Sequence, residues 1–184
     1  MSARRPLIAA AAGLALLVML AAGATATAGG ASRAVGTFVD ATGQSIGWVR
    51  LVEDGTGTIH VNVHVAGLTP GLHGIHIHAI GACAPTFAAA GSHYNPLGHE
   101  HGLDNPNGAH AGDLPNLIVN TQGVGHLDAT TDGVTISSGP TTIFDSTPGA
   151  VGSAFIIHAG VDDQVSQPTG NSGDRVACAV LEAE

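Results

Sequence analysis

Six histidines and one aspartate carry the chemical signal of this chain: His76, His78, His93, His101, His110, Asp113 and His158. His76 and His78 stand two apart in the alternating run LHGIHIHA, residues 72–79. On a strand that spacing puts both imidazoles on one face, with Cα atoms about 6.6 Å apart, close enough to share one ion. His93, His101, His110 and Asp113 fall in a stretch rich in Gly, Pro, Asn and His, from about residue 80 to 115. A loop of that composition can fold back and bring them together. Imidazole with one carboxylate suits zinc, and an all-imidazole set suits copper or zinc. Seven such side chains within 83 residues, in a chain without lysine, fit poorly with solvated loop histidines.

The other histidines read differently. His60 and His64 share a strand face but are about 13 Å apart at strand rise, too far for one ion, and read as solvated. His73 reads as a structural hydrogen-bonding residue, His99 as solvated, and His126 has no partner nearby in sequence. Trp48 and Tyr94 read as packing residues rather than redox relays.

The elements that must position the seven are strands. Residues 34–40, 46–53 and 58–66 are β-rich, and in the third Ile59, Val61, Val63 and Val65 alternate with His60, Asn62 and His64. Gly67 to Gly71 is a turn, and residues 72–79 alternate again. Further strands are predicted at 116–120, 124–129, 133–138, 154–158 and 175–181, with a second polar loop at 159–174. No helical stripe longer than a turn follows residue 30. Short strands with Gly turns predict an all-β sandwich or barrel, without a second domain or a repeat. Loops as long as these two are usually functional in a compact domain.

Residues 1–30 form a separate object. Arg4 and Arg5 precede the apolar run Leu7 to Leu20, and small residues with A-x-A sites follow. That is the layout of a secretory signal peptide, leaving residues 31–184 as the mature domain. An uncleaved membrane anchor is the competing interpretation, because Pro6 to Ala28 is 23 residues without a charge. Without the leader, three arginines face 14 acidic residues, a formal charge of −11. A lysine-free acidic chain excludes nucleic acid as a partner, since phosphate neutralisation needs clustered Lys and Arg. Cys83 and Cys178 in an exported chain read as one disulfide.

Five segments together resemble the copper/zinc superoxide dismutases: GLHGIHIH (71–78), GSHYNPLGHEHG (91–102), HAGDLPN (110–116), IIHAGVDD (156–163) and GNSGDRVACAV (170–180). Their order and spacing agree across roughly residues 34–184. The resemblance implies an all-β, eight-stranded Greek-key β-barrel, a flattened sandwich with two long functional loops. It implies copper on His76, His78, His93 and His158, and zinc on His93, His101, His110 and Asp113, with His93 shared. It makes Asp162 the carboxylate linking His76 and His101, with Asp163 an adjacent competitor. Arg175 matches the arginine that holds the anionic substrate beside copper, and Thr169 the residue opposite it at the channel mouth. Cys83 and Cys178 match an intrasubunit disulfide whose loop supports that arginine. The implied activity is dismutation of superoxide to O₂ and H₂O₂, with Arg175 and His93 as its catalytic residues. The implied protein is exported, either monomeric or a homodimer, and touches a membrane only if the leader stays attached. A non-catalytic exported copper/zinc buffer on the same scaffold is the alternative. A zinc hydrolase fits less well, because a His₃Asp zinc set leaves no open position. Residues 164–174 depart from the family's usual pattern, with no Lys and only Asp174 charged.

Overall fold

The computed structural model describes residues 32–144 and 152–184; the leader lies outside them. Ten strand segments form one antiparallel sheet: β1 (Ser32–Asp40), β2 (Ser45–Glu53), β3 (Ile59–Ala66), β4 (Gly71–His73), β5 (Ile75–His78), β6 (Leu117–Val119), β7 (Val124–Thr131), β8 (Ala154–His158), β9 (Arg175–Val180) and β10 (Glu182–Ala183). The sheet order is β4-β6-β7-β3-β2-β1-β9-β8-β5. Its two ends are adjacent pieces of one chain segment, Gly71–His78, so the sheet closes on itself. β9 and β10 likewise run along β1 in one constant register. The ten segments are therefore the eight staves of a barrel, and closure removes the free sheet edges that invite aggregation.

Period-two alternation fills the interior. Ile59, Val61, Val63 and Val65 of β3 are fully or almost fully buried, as are Val49 and Leu51 of β2 and Ile75 and Ile77 of β5. Phe38 and Phe155 meet edge to face across the core, with centroids 6.4 Å apart, a contact worth about 1 kcal/mol beyond its area. A smaller apolar cluster forms outside the wall, where Ala154, Ile156 and Cys178 receive Ala90, Cys83 and Phe87. It seats the loop after β5, which contains a short 3₁₀ helix at Phe87–Ala90.

One predicted strand is absent. Residues 133–138 form bends and one bridge, Thr135 to Thr142. The buried Glu53 carboxylate, at the end of β2, accepts the N–H groups of Ile136 and Ser137 at 3.0 and 2.6 Å and the Ser137 hydroxyl at 2.7 Å. Donors that would have paired with a neighbouring strand are spent on that carboxylate, while Val134, Ile136 and Ile143 turn in to plug the barrel end.

Candidate metal centre

The wall of the barrel sets the first candidate ligands. Ile75 and Ile77 point into the core, so His76 and His78 point outward, yet all four are buried because the long loops cover them. The loop from 80 to 116 returns to β5 as two short edge pieces. Tyr94 N–H donates to Ile77 O at 2.8 Å, and Ile77 N–H donates to Gly112 O at 2.9 Å. These bonds bring His93 opposite His78 and Asp113 opposite His76. β8 pairs with β5, and a register shift between Ile157 and His158 turns His158 toward the same spot. Gly74 allows the kink between β4 and β5: a Cβ there would stand 2.8 Å from Ser172 Cβ and 3.2 Å from His76 Cε1.

Outer contacts then decide which ring nitrogen each histidine offers. His78 Nδ1 and His158 Nδ1 donate to the carbonyls of Gly91 and Gly173, each at 3.0 Å. His76 Nε2 donates to Asp162 Oδ2 at 2.6 Å, and His101 Nε2 to Asp162 Oδ1 at 3.0 Å. What remains is a set of buried nitrogens without a hydrogen-bond partner: His76 Nδ1, His78 Nε2, His93 Nε2, His101 Nδ1 and His158 Nε2. The ligand atoms of His76, His78, His93 and His158 lie within 4.8 Å of one another, as do those of His76, His93, His101 and Asp113. His110 joins the second set at its edge, with Nδ1 3.4 Å from both His93 Nδ1 and Asp113 Oδ1. His93 Nδ1 is 2.9 Å from Asp113 Oδ1, and His101 Nδ1 is 3.0 Å from Asp113 Oδ2. Donors around a tetrahedral ion with bonds of 2.0–2.1 Å stand about 3.3 Å apart, so the second set is spaced for such an ion. Buried lone pairs converging without partners would be costly in a purely structural cluster, and dications satisfy them.

Electrostatics favour the ligating forms of His76, His78, His93 and His158. Burial pushes His76 down to about 3, with the neighbouring imidazoles opposing a second charge. Burial likewise lowers His78 to about 2 and His158 to about 4, and lowers His93. These rings are neutral and keep a lone pair. Burial also opposes charge on His101, but the Asp113 and Asp162 carboxylates beside it outweigh that and raise the ring to about 9. Burial would raise Asp113 and Asp162, yet hydrogen bonds from the surrounding rings and backbone N–H groups hold both carboxyls well below the usual range. Asp162 is fixed by Asn116, which exchanges two hydrogen bonds of 2.8 Å with its main chain. Gly170, at φ 63°, leaves room for that carboxylate: a Cβ there would overlap Asp162 Oδ1. Asp163 is exposed and instead accepts the N–H groups of Val165 and Ser166.

Arg175 stands at the rim. Its Nη1 donates to Phe87 O and its Nη2 to Gly91 O, both at 2.6 Å. The Gly91 carbonyl thus holds Arg175 and His78 together. The segment carrying both carbonyls is tied to β9 by the Cys83–Cys178 disulfide, Cα atoms 5.8 Å apart. Thr169 is half-buried in the second loop, where its carbonyl accepts the Ser172 hydroxyl at 2.8 Å.

The histidines left aside also have definite places. His73 is buried, donating from Nδ1 to His158 O at 2.7 Å while Nε2 contacts Thr69 O at 2.8 Å. It braces the ligand strand without facing the centre. His60 is exposed beside Asp54. Trp48 is not a packing residue of the interior: it is 44% exposed and stacks on His64. His126 gains a partner that sequence adjacency did not show, since it lies directly opposite His64.

Comparison with known proteins agrees with this geometry. The family model described as copper/zinc superoxide dismutase matches residues 45–181. A protein of Aquifex aeolicus named Superoxide dismutase [Cu-Zn] 2 is 37% identical over 147 residues, covering 78% of this chain and 83% of that one. The superoxide dismutase-like protein YojM of Bacillus subtilis is 38% identical over 147 residues, covering 78% and 73%. The crystal structure of a SOD-like protein from Bacillus subtilis superposes with a TM-score of 0.71 at 36% identity, covering 80% of this chain and 97% of that one. A closed eight-stave barrel and a matched stretch that takes in every convergent histidine lead to one conclusion: the chain belongs to the copper/zinc superoxide dismutase family.

Proposed function

We propose that this protein is an exported superoxide dismutase, converting two superoxide anions and two protons into O₂ and H₂O₂. His76, His78, His93 and His158 would hold copper; His93, His101, His110 and Asp113 would hold zinc. Copper, when bound, supplies the one-electron redox chemistry, and zinc supplies fixed positive charge. The observation that carries the proposal is the convergence of four unpartnered imidazole nitrogens near an arginine whose guanidinium is already oriented.

The chain's own residues do the remaining work. Arg175 spends two N–H groups on the Phe87 and Gly91 carbonyls, leaving others for a small anion, and it stays charged at any working pH. His93 offers a buried nitrogen to each set, Nε2 on the all-histidine side and Nδ1 on the Asp113 side. A proton held at Nε2 therefore faces the all-histidine set rather than a protein acceptor. Asp162 keeps His76 and His101 in the tautomer that presents Nδ1 inward. Thr169 sits on the second loop and would border the channel opposite Arg175. The disulfide fits an oxidising compartment, and the leader at residues 1–30 would direct export there.

The test is metal content and dismutation on one leaderless sample after loading with copper and zinc. Equimolar copper and zinc with fast turnover, lost in His78→Ala and strongly reduced in Arg175→Ala, is the expected result. Bound metals with negligible turnover would overturn the enzyme assignment and leave a copper/zinc-binding protein on this scaffold.

A further inference from the structure

On the outer face of the barrel, away from the buried centre, β2, β3 and β7 place Trp48, His64 and His126 in one transverse row. Trp48 pairs with His64, and His64 pairs with His126, each directly opposite in the antiparallel register. The row is continued on β6 by Ile118, which is 65% exposed.

The imidazoles of His64 and His126 touch, with centroids 4.5 Å apart and planes at 56°. His64 Nδ1 lies 3.3 Å from His126 Nδ1 and 3.2 Å from His126 Nε2. One nitrogen nearly equidistant from two others on the same ring is poor geometry for a directional hydrogen bond. The separation, by contrast, is that of two donors on one ion, and a turn of the exposed His126 ring about its Cβ–Cγ bond would aim one of its nitrogens at that ion. Two imidazole nitrogens bound to one ion at 2.0–2.1 Å stand about 3 Å apart in a square arrangement and about 3.3 Å in a tetrahedral one. Among the described residues, the two rings have only each other as hydrogen-bonding partners. Trp48 stacks on His64 at 6.0 Å, with planes 28° apart, which limits the rotamers His64 would lose on binding.

The surroundings suit a cation. One step along the same strands, Asn62 and Asp128 face each other and are hydrogen-bonded. Asp128 is two residues from His126 and therefore on its face, about 7 Å away at the Cα. Arg50, opposite Asn62 on β2, is the opposing charge on this face, and the chain as a whole carries −9.

We propose that His64 and His126 form a second, surface metal site: a cross-strand imidazole pair that binds one first-row divalent transition ion, with water completing the shell. Imidazole ligation and the Irving–Williams order make Cu²⁺ the tightest occupant, with Ni²⁺ and Zn²⁺ weaker, while Mg²⁺ and Ca²⁺ are refused for lack of oxygen ligands. Such an ion would also clip β3 to β7. The site shares no residue with the buried centre, and its existence does not depend on dismutation.

The probe is Cu²⁺ added at neutral pH to protein already loaded with copper and zinc, followed by calorimetry and electron paramagnetic resonance. The expected result is one further Cu²⁺ per chain, with coupling to two imidazole nitrogens. That ion is lost in His64→Ala and in His126→Ala, while buried copper, buried zinc and dismutation stay at their parental values. His126→Gln keeps the exposed bulk, should either alanine variant disturb the sheet, and it too should lose the ion. His60→Ala, on the same strand face but beside Asp54, should retain it. Retention of the further ion in either His64→Ala or His126→Ala overturns the proposal, as does failure of the parent protein to bind any further Cu²⁺.

Discussion

Replacing Asp162 by asparagine tests the logic of the two-set centre at one atom. The carboxylate accepts from His76 Nε2 on Oδ2 and from His101 Nε2 on Oδ1, which also receives the Gln164 N–H at 2.7 Å. As an acceptor only, it holds a proton on Nε2 of both rings, which leaves Nδ1 as the nitrogen available to a metal. Asparagine has the same shape but a single acceptor. The Gln164 N–H fixes the amide oxygen at the Oδ1 position, so the NH₂ group faces His76. His76 must then either tolerate two opposed donors or move its proton to Nδ1, the atom that would bind copper. Losing a charge-assisted hydrogen bond of this kind costs about 1.5–3 kcal/mol, or roughly ten- to hundredfold in metal affinity. His101 keeps an acceptor, though a neutral one, so its loss should be smaller. Competition against a chromophoric chelator, run separately for copper and zinc, measures both affinities, and a thermal melt checks that the fold survives. Copper binding should weaken by about one to two orders of magnitude and zinc binding by less. Zinc affinity falling more than copper affinity, or neither changing, would refute the tautomer argument.

Other expectations follow from the same structure. Removing the disulfide, as Cys83→Ser with Cys178→Ser, opens a loop with ends 95 residues apart; the loss should be about 4–5 kcal/mol by urea unfolding. Turnover should fall with it, because the freed segment holds Arg175. In the metal-free chain, acidification from about pH 7 to about pH 5 should destabilise the fold. His158, His76 and His78, held near 4, 3 and 2, stay neutral in the folded chain while the unfolded chain protonates them near 6.5, costing about 2 kcal/mol for each ring by pH 5. His101, raised to about 9, opposes this and adds stability as the pH falls from 9 toward 6.5. Chemical denaturation across that range gives the slope, and metal-free protein more stable at pH 5 than at pH 7 would contradict it. Dismutation should fall only shallowly as salt rises, because residues 164–174 carry no lysine and one acid, Asp174, to steer a distant anion. A steep decline with ionic strength would show that steering comes from elsewhere on the surface.

The local chemistry was legible wherever strand alternation alone controls direction. Ile75, His76, Ile77 and His78 alternate in the sequence, and the wall of the barrel preserves that alternation as core side and ligand side. The same rule located β3 and most other staves. It failed at residues 133–138, whose composition is strand-like, because the competitor is Glu53, some eighty residues away and silent in any local window. It also left Trp48 assigned to packing, since a single aromatic on an amphipathic strand does not reveal which face will be covered.

What the sequence determined by itself is the inventory: which side chains can bind metal, which stretches favour strands, and which cysteines are available to pair. Those follow from residue type and a period of two, both local properties. Only the tertiary structure decided the choices that depend on distance through space. It placed Asp162 rather than Asp163 between His76 and His101, because Asn116 and the opening at Gly170 fix one carboxylate inward while the other binds its own loop. It selected Nδ1 on His76 but Nε2 on His78 and His158 as the unpartnered nitrogens, through carbonyl and carboxylate partners remote in sequence. And it brought His126 against His64, 62 residues earlier, because an antiparallel register puts side chains opposite each other whatever the length of chain between them.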